Sequence, residues 1–225
     1  MRIRWFGQSA FLLVDNSTSV LVDPFGPGEQ VRERGLKFDY PPIDGVEADL
    51  VLVTHEHFDH NAVEVVSGDP HVLRSTAGLL DSPLGEVVAV ASEHDDAAGT
   101  KRGPNTVFVF SVGAIRVCHM GDFGQAALRP EQHEAIGEVD LLMLPVGGGP
   151  TIGGALAAEI ASQIGARIVV PMHFRTDAVD FLEPPDDFLD NAPGRVERVE
   201  GSELELDDLP SDDGVVVALL EAPLV

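Results

Sequence analysis

The sequence predicts a mixed α/β fold, a four-layer αββα sandwich of two mixed β-sheets that face each other and carry helices on their outer sides. Two observations support this class. Short apolar runs separated by turns fill the first half of the chain, and strand-like segments alternate with helix-like segments in the second half. Both halves contain strands followed by helices, which favours two layers of each kind. Hydrophobic periodicity by itself predicts only a mixed α/β protein.

The length and composition fit a single domain over residues 1–225. The chain is 44% hydrophobic and 23% charged, so it can bury a core and lacks the composition of a disordered chain. No apolar run reaches the roughly 18 residues of a membrane span. The N-terminus lacks the apolar stretch of a signal peptide, and Cys118 is the only cysteine. We therefore expect a cytoplasmic protein.

Turn residues and apolar runs define the strands of the first half. Asp49–Thr54 is an almost unbroken apolar run, typical of a strand buried on both faces. Residues 24–42 are rich in Gly, Pro and charge, which predicts a loop. The predicted strands are Arg2–Phe6, Ala10–Val14, Ser19–Asp23, Asp49–Thr54, Val87–Ala91, Thr106–Phe110 and Ala114–His119.

The second half predicts helices between strands. A helix is expected over Pro130–Ile136, because proline suits the first helical position. A second helix is expected over Gly153–Ile164, and Asp177–Asp190 should hold a short helix broken by its two prolines. The predicted strands are Asp140–Leu144, Arg167–Pro171 and Gly214–Leu220.

The charge of the chain limits its partners. The formal net charge is -24, with 14 basic and 38 acidic residues. Nucleic-acid binding depends on neutralising phosphates, so we expect neither a nucleic acid nor an anionic membrane as a partner. A small-molecule substrate is the expectation that remains. The sequence leaves the oligomeric state open, a homo-oligomer included.

Three imidazoles and a carboxylate fall within six residues directly after the predicted strand Asp49–Thr54. They are His55, His57, Asp59 and His60. Open α/β sheets bind ligands at the carboxyl ends of their strands, and imidazole and carboxylate groups suit Zn, Mn, Fe or Ni. A histidine-rich surface loop is the alternative, but the density of the cluster favours two metals, one shared by His55 and His57 and the other by Asp59 and His60.

Three further candidate ligands each follow a predicted strand. His94 comes after Val87–Ala91, Asp122 after Ala114–His119 and His173 after Arg167–Pro171. A centre of two metals needs ligands from outside the first cluster, and these residues supply them. His119, three residues before Asp122, is a rival to His94, because strand alternation could also point it inward.

The order His-x-His-x-Asp-His, a lone His, Gly-Asp and a late His resembles the metallo-β-lactamase superfamily. Within it the chain is similar to small metal-dependent hydrolases related to L-ascorbate-6-phosphate lactonase. The stretches that carry the resemblance are Trp5-Phe6-Gly7, Val22-Asp23-Pro24-Phe25, His55 to Asn61, Asn105 to Phe110, Cys118-His119-Met120-Gly121-Asp122 and Pro171-Met172-His173-Phe174.

The resemblance implies a fold, a cofactor and a ligand set. The fold is the αββα sandwich, and the cofactor is two divalent metal ions, zinc above all, with Mn, Ni or Fe as alternatives. The implied ligands are His55, His57 and His94 for the first metal, Asp59, His60 and His173 for the second, and Asp122 between them. By the same resemblance, His94 rather than His119 completes the first set, and His119 orients a ligand from behind.

Other residues are candidates for supporting the site or contacting substrate. Related hydrolases carry Gly-His-Ala or Gly-His-Ser where this chain has Gly7-Gln8-Ser9, and Gln8 cannot shuttle a proton near neutral pH. Gln8 therefore implies different chemistry or the use of another acid, unless it only keeps a structural hydrogen bond. The resemblance favours a supporting role for Asp23. Thr151 belongs to a segment expected to form the floor of the cleft, with a plain loop as the alternative. Arg102 could hold an anionic substrate group, and the alternative is an ordinary surface arginine.

The activity we expect is hydrolysis of an ester-like bond in a lactone, a sugar phosphate or a related small molecule. A metal pair lowers the pKa of the water between them and so supplies hydroxide near neutral pH. Asp59 is the candidate catalytic residue, which would orient the nucleophile and pass a proton to the leaving group. The alternatives are a phosphodiesterase or nuclease of the same superfamily and a mono-iron role like that of a persulfide dioxygenase.

Overall fold

A computed structural model describes residues 1–16, 18–206 and 214–224. Helices α1 to α4 cover Glu29–Glu33, Pro130–Ile136, Gly154–Ile164 and Asp186–Asp190. The strands, in chain order from β1 to β16, are Arg2–Gly7, Ala10–Asp15, Thr18–Val22, Val46–Glu47, Leu50–Val53, Val66–Ser67, His71–Arg74, Gly78–Ser82, Gly85–Glu93, Pro104–Val112, Ile115–His119, Leu141–Pro145, Ile168–Met172, Arg195–Val199, Glu203–Glu205 and Val216–Leu220.

Within the described residues the strands form two large mixed sheets. The first sheet has the order β15-β1-β2-β3-β5-β7 and the second has the order β14-β16-β13-β12-β11-β10-β9-β8. The first sheet changes from antiparallel to parallel pairing between β3 and β5. The second changes between β10 and β11, which are antiparallel, and β12, which is parallel to β11. The small β4–β6 ladder lies outside both sheets.

The two sheets pack face to face through alternate residues of their strands. In β3, Val20 and Val22 belong to the core between the sheets, whereas Leu21 belongs to a second core on the outer face. In the second sheet, Phe108 is the cross-strand partner of His119, so both side chains lie on one face. The His119 ring donates across to the first sheet, which places that face between the sheets.

The outer layers differ in structure. On the second sheet, α2 packs against β9, and α3 packs against β12 and α4. On the first sheet, the five-residue α1 contributes Val31, and loop residues such as Phe25, Phe38 and Tyr40 complete the layer. The fold class is thus the predicted αββα sandwich, with one outer layer built mainly from a loop.

Several predicted boundaries were wrong. Residues 24–42, expected to be a loop, contain α1, whose central Val31 is buried under the aromatic side chains of that segment. The helix expected within Asp177–Asp190 begins only after the two prolines, at Asp186. Strands β7, β8, β14 and β15 were not predicted, because they are short and partly exposed and lack a continuous apolar run.

Across the part of the chain that the structure describes, no helix has the length and apolar character needed to cross a bilayer. The longest of them, α3, has 11 residues. A transmembrane helix needs about 20 residues.

Replacing Phe110 tests the packing between the sheets. Phe110 is 1% exposed and shares a face with Phe108, whereas Leu79 on the edge strand β8 is 68% exposed. In urea titrations with a chelator present, Phe110→Ala should lower the free energy of unfolding by about 3–5 kcal/mol. Leu79→Ala should change it by less than about 0.5 kcal/mol. Similar losses for both variants would contradict the described packing.

Candidate metal centre

The candidate ligands meet at one edge of the sandwich. The cluster that starts at His55 follows β5 of the first sheet. His94, Asp122 and His173 follow β9, β11 and β13 of the second sheet. Strands β9, β11 and β13 point in the same direction, so their carboxyl ends lie at the same edge, opposite the end of β5. The two sheets therefore supply ligands from two sides.

Three histidines are oriented by hydrogen bonds at Nδ1. His60 Nδ1 donates to Asp23 Oδ2 at 3.1 Å and His94 Nδ1 donates to the Pro150 carbonyl at 3.1 Å. His55 Nδ1 lies 3.0 Å from Thr54 Oγ1. The Thr54 hydroxyl donates to Asp23 at 2.7 Å, so its oxygen accepts the proton of His55 Nδ1. In the neutral form of each ring, Nε2 therefore carries no proton and is available as a ligand.

The Asp122 carboxylate lies among these Nε2 atoms. Its Oδ2 is 3.1 Å from Nε2 of His94, 3.3 Å from Nε2 of both His60 and His173, and 3.9 Å from Nε2 of His55. Two ligands of one tetrahedral zinc ion are about 3.4 Å apart, given metal–ligand distances of about 2.1 Å. The spacing therefore suits atoms that share metal ions.

The ligand atoms fall into three groups in which all members lie within 4.8 Å of one another. The groups are His55, His57 and His94; His55, His60 and Asp122; and Asp59, His60 and His173. The first and third match the two predicted ligand sets, and the second, through Asp122, joins them. The structure thus brings all seven predicted ligands into one centre.

The donor set fits divalent cations. The buried Nε2 atoms of His55 and His60 have no hydrogen-bond partner among the described residues. In the neutral form of these rings, an Nε2 lone pair directed at a carboxylate oxygen would repel it, and a cation between them removes that repulsion. Nitrogen and oxygen ligands in this number suit zinc and comparable first-row metals.

The protonation of three of the imidazoles also favours the binding of divalent cations. Burial lowers the pKa of His55 well below its usual value and also lowers the pKa of His57 and His173. These imidazoles are therefore neutral near neutral pH, which is the form that binds metals. His60 is the exception: burial opposes its charge, but Asp122, Asp59 and Asp23 together raise the pKa of its ring well above the usual value, so a metal that binds there displaces a proton.

Asp122 is itself held rigidly. Ser9 Oγ donates to its Oδ1 at 3.1 Å, and its backbone N–H donates to Asn105 Oδ1 at 3.0 Å. Asn105 in turn donates to the Met120 carbonyl at 2.9 Å. Gly121 has φ +57, and a Cβ there would lie 2.5 Å from Asn105 Oδ1 and 2.7 Å from Thr54 Oγ1. Only glycine fits beside this network.

His119 lies behind the centre and outside all three groups. Its Nδ1 accepts from Gly121 N at 3.1 Å, so its Nε2 carries the proton and donates to the Ser9 carbonyl at 2.9 Å. Both ring nitrogens are therefore engaged by the backbone. Burial lowers the pKa of the His119 imidazole. The geometry places His94, and not His119, with His55 and His57.

The remaining predicted residues differ in their contacts with the metal-ligand candidates. Asp23 is fully buried and accepts from His60 and Thr54. Gln8 is fully buried, and its side-chain amide has no hydrogen-bond partner among the described residues, so the structural hydrogen bond considered for it is not seen. Its backbone carbonyl accepts from His173 N at 3.2 Å. Thr151 donates to the Gly148 carbonyl within its own loop and does not line the cleft over the ligands.

A cleft of about 680 Å³ opens over the centre. Asp59, with a side chain 17% exposed, lines it together with His57, His94 and His173. Arg102, one of the predicted residues, lines the cleft. Sequence reasoning did not single out the other side chains of its wall, which are Val31, Arg34, Leu36, Phe58, Lys101 and Phe181.

Three supporting residues were also missed, namely Ser9, Thr54 and Asn105. Each is a buried polar residue beside an apolar run, and such residues are hydrogen-bonded in folded proteins. That pattern could have marked them for attention. It could not have named their partners, because Ser9 and Asp122 are 113 residues apart in sequence.

Comparison with known proteins indicates the superfamily to which the chain is similar. The β-lactamase superfamily domain matches residues 2–173 of the chain. A solved structure of a candidate zinc-dependent hydrolase of the metallo-β-lactamase superfamily from Thermotoga maritima is 35% identical, covers 98% of this chain and 99% of its own, and superimposes with a TM-score of 0.76.

Two curated relatives define a narrower group. A UPF0173 metal-dependent hydrolase of Thermococcus kodakarensis is 30% identical and covers 92% of this chain and 100% of its own length. Another from Methanoregula boonei is 31% identical and covers 78% of this chain and 83% of its own. The chain therefore belongs to the metallo-β-lactamase superfamily and, within it, to the UPF0173 metal-dependent hydrolases. The kinship to L-ascorbate-6-phosphate lactonase stays a prediction.

Paired variants distinguish His94 from His119 as a ligand. After dialysis against zinc and elemental analysis, His94→Gln should bind fewer zinc ions per chain than the wild type, because it removes an Nε2 ligand. His119→Gln should keep the wild-type number, because its ring bonds only to backbone groups. Circular dichroism should show that both variants fold. Loss of zinc in His119→Gln with full binding in His94→Gln would reverse the assignment.

Proposed function

We propose that this chain hydrolyses an ester-like bond in a small molecule, such as a lactone or a sugar phosphate, with two divalent metal ions. The observation that supports this most strongly is the pair of ligand groups joined at Asp122. Family membership supports a metal-dependent hydrolase in general. The bond that is cleaved, the number of metals and the choice of zinc are the additional steps of the proposal.

The proposed ligands follow the observed groups. His55, His57 and His94 would hold one ion, and Asp59, His60 and His173 would hold the other. Asp122 lies close enough to both groups to serve both ions. Zinc fits this set best, because imidazole nitrogen and carboxylate oxygen are among its usual ligands. Cysteine is its other usual ligand, but Cys118 is fully buried and belongs to none of the ligand groups. Manganese, nickel and iron remain alternatives by the same chemistry.

Two divalent ions, when bound, lower the pKa of a shared water and polarise the bond under attack. The protein's own groups complete the chemistry. Asp59 faces the cleft and has a partly exposed carboxylate, so it can orient the attacking water, accept its proton and return that proton to the leaving group. Asp23 holds the His60 ring in one tautomer through Nδ1.

The environment of Asp59 differs from that of Asp122 in a way that suits these roles. Asp122 is 2% exposed and is bonded by Ser9. The Asp59 side chain is 17% exposed and lines the cleft, where a substrate can reach it. A fixed carboxylate suits a ligand shared by two ions, and an accessible one suits proton transfer.

An activity screen tests the proposal. The purified protein, loaded separately with zinc and with manganese, should hydrolyse members of a panel of lactones, phosphodiesters and β-lactams, with lactones among the substrates. Elemental analysis of the same samples should give two ions per chain. A single iron per chain without hydrolysis would instead favour the dioxygenase alternative. Hydrolysis of phosphodiesters alone would favour the phosphodiesterase alternative.

Replacement of Asp59 tests its assigned role. Asp59→Asn should lower kcat on the best substrate by about 100-fold to 10,000-fold, because the amide cannot accept a proton. The first ligand group lacks Asp59, so at least one zinc should remain bound. Asp69→Asn is a matched control, because Asp69 is exposed and lies before β7, at the opposite end of the first sheet. Full activity of Asp59→Asn with intact zinc content would refute the role.

A further inference from the structure

Basic residues are concentrated in the cleft over the metal centre. Arg34, Lys101 and Arg102 line it, which is three of the chain's 14 basic residues among 14 lining residues. The two carboxylates that line the cleft, Asp59 and Asp122, are both candidate metal ligands. The chain as a whole carries a net charge of -24, so this local excess of basic groups runs against its average composition.

Two of the basic residues are presented by the segment 95–103, which we name the Asp95 loop. The Asp95 carboxylate is 6% exposed and accepts four backbone N–H groups. The donors are the backbone N–H groups of Ala97, Gly99, Lys101 and Arg102, at 2.8, 2.9, 2.9 and 2.7 Å from the carboxylate oxygens. The loop is therefore curled around a fixed carboxylate. Because Asp95 directly follows His94, the loop is anchored next to the metal centre.

Arg102 differs from its neighbour Lys101 in its partners. Lys101 Nζ bonds to Asp96 Oδ1 at 2.8 Å. The Arg102 guanidinium has no ion-pair or hydrogen-bond partner among the described residues, although the chain contains 38 acidic residues. A guanidinium is planar and always charged, and it binds carboxylate or phosphate through two parallel hydrogen bonds. Arg102 thus offers a complete fork of donors at the cleft.

Other parts of the cleft wall are apolar. Phe58 and Phe181 are partly exposed there, and Leu36 is 38% exposed. Arg34 lies over the Phe58 ring at 5.5 Å, so its charge is engaged with that ring. A substrate with both an apolar part and an anionic group would match these surfaces.

The net charge of the chain affects how an anionic substrate can be recognised. A net charge of -24 repels anions at long range, so an anionic substrate gains nothing from steering. Recognition of an anionic group away from the metal centre would require a further local cation with free donors. A neutral substrate needs none.

We infer that Arg102, presented by the Asp95 loop, binds an oxyanion group of the substrate at some distance from the bond that is hydrolysed. The substrate class is then an ester or lactone that carries a carboxylate or a phosphate. This inference rests on the proposed function and deepens it, because it names a specificity residue of the same cleft.

Binding of analogues that cannot be hydrolysed tests the inference. The probes are cyclopentanone, 3-oxocyclopentane-1-carboxylate and 3-oxocyclopentylphosphonate, titrated into the zinc-loaded full-length protein and followed by ligand-observed NMR. Arg102→Gln should raise the Kd of at least one anionic probe by about fivefold to tenfold and leave the Kd of cyclopentanone unchanged. The probe with the larger loss identifies the anionic group. Arg102→Lys should recover part of the affinity.

Arg167→Gln is the matched control. It makes the same change of charge at an exposed residue that precedes β13, at the end of the strand away from His173. It should leave all three Kd values unchanged. Equal Kd values for the wild type and Arg102→Gln with both anionic probes would overturn the inference. So would an equal weakening by Arg167→Gln.

A hydrolysis arm separates this inference from the proposed function. The substrates are γ-butyrolactone and its 3-carboxylate, and Arg102→Gln should lower kcat/KM only for the carboxylate if that is the preferred anion. If neither lactone is hydrolysed but the anionic probes still bind through Arg102, the oxyanion site stands and lactone hydrolysis is wrong. If both lactones are hydrolysed and Arg102→Gln changes neither hydrolysis nor binding, the inference fails and the proposed function stands.

Discussion

The position of the Asp122 carboxylate among four imidazoles is the constraint on which the rest of the site depends. Its Oδ2 lies within 3.9 Å of Nε2 atoms that come from both sheets. The neutral rings among them direct lone pairs at the carboxylate and repel it unless cations lie between them. The surrounding structure must therefore hold the ligands in place before metal binds. The Nδ1 hydrogen bonds to Asp23, Thr54 and Pro150 do this by fixing ring orientation.

The same constraint explains unusual backbone conformations near the centre. Gln8, Asp23 and His173 all have positive φ, near +50°, although none is glycine. Such conformations persist only where surrounding contacts determine them, and they concentrate at functional sites. Gln8 and His173 are linked by a backbone hydrogen bond, and Asp23 holds His60. The packing of two sheets with large aromatic residues supplies the rigidity that these contacts need.

The sequence predicted those parts of the fold and site that depend on local patterns. Apolar runs gave the central strands, and the dense spacing of His55 to His60 marked the metal cluster. Strands β14 and β15 were missed, because they are short, contain no continuous apolar run and owe their pairing to distant strands. The position of Arg102 in the cleft depends on the curl of the Asp95 loop. The sequence marked Arg102 only as a candidate for holding an anionic group, because no local pattern shows that its guanidinium lies in the cleft without a protein partner.

Zinc X-ray absorption spectroscopy tests the central claim, that one carboxylate joins two ligand groups into a single centre. For protein carrying two zinc ions, we predict a zinc–zinc distance of about 3.5–4 Å with only nitrogen and oxygen ligands. A protein that binds two zinc ions without a zinc–zinc distance in this range would contradict the account. A sulfur ligand would contradict it as well, because Cys118 is buried away from the cluster.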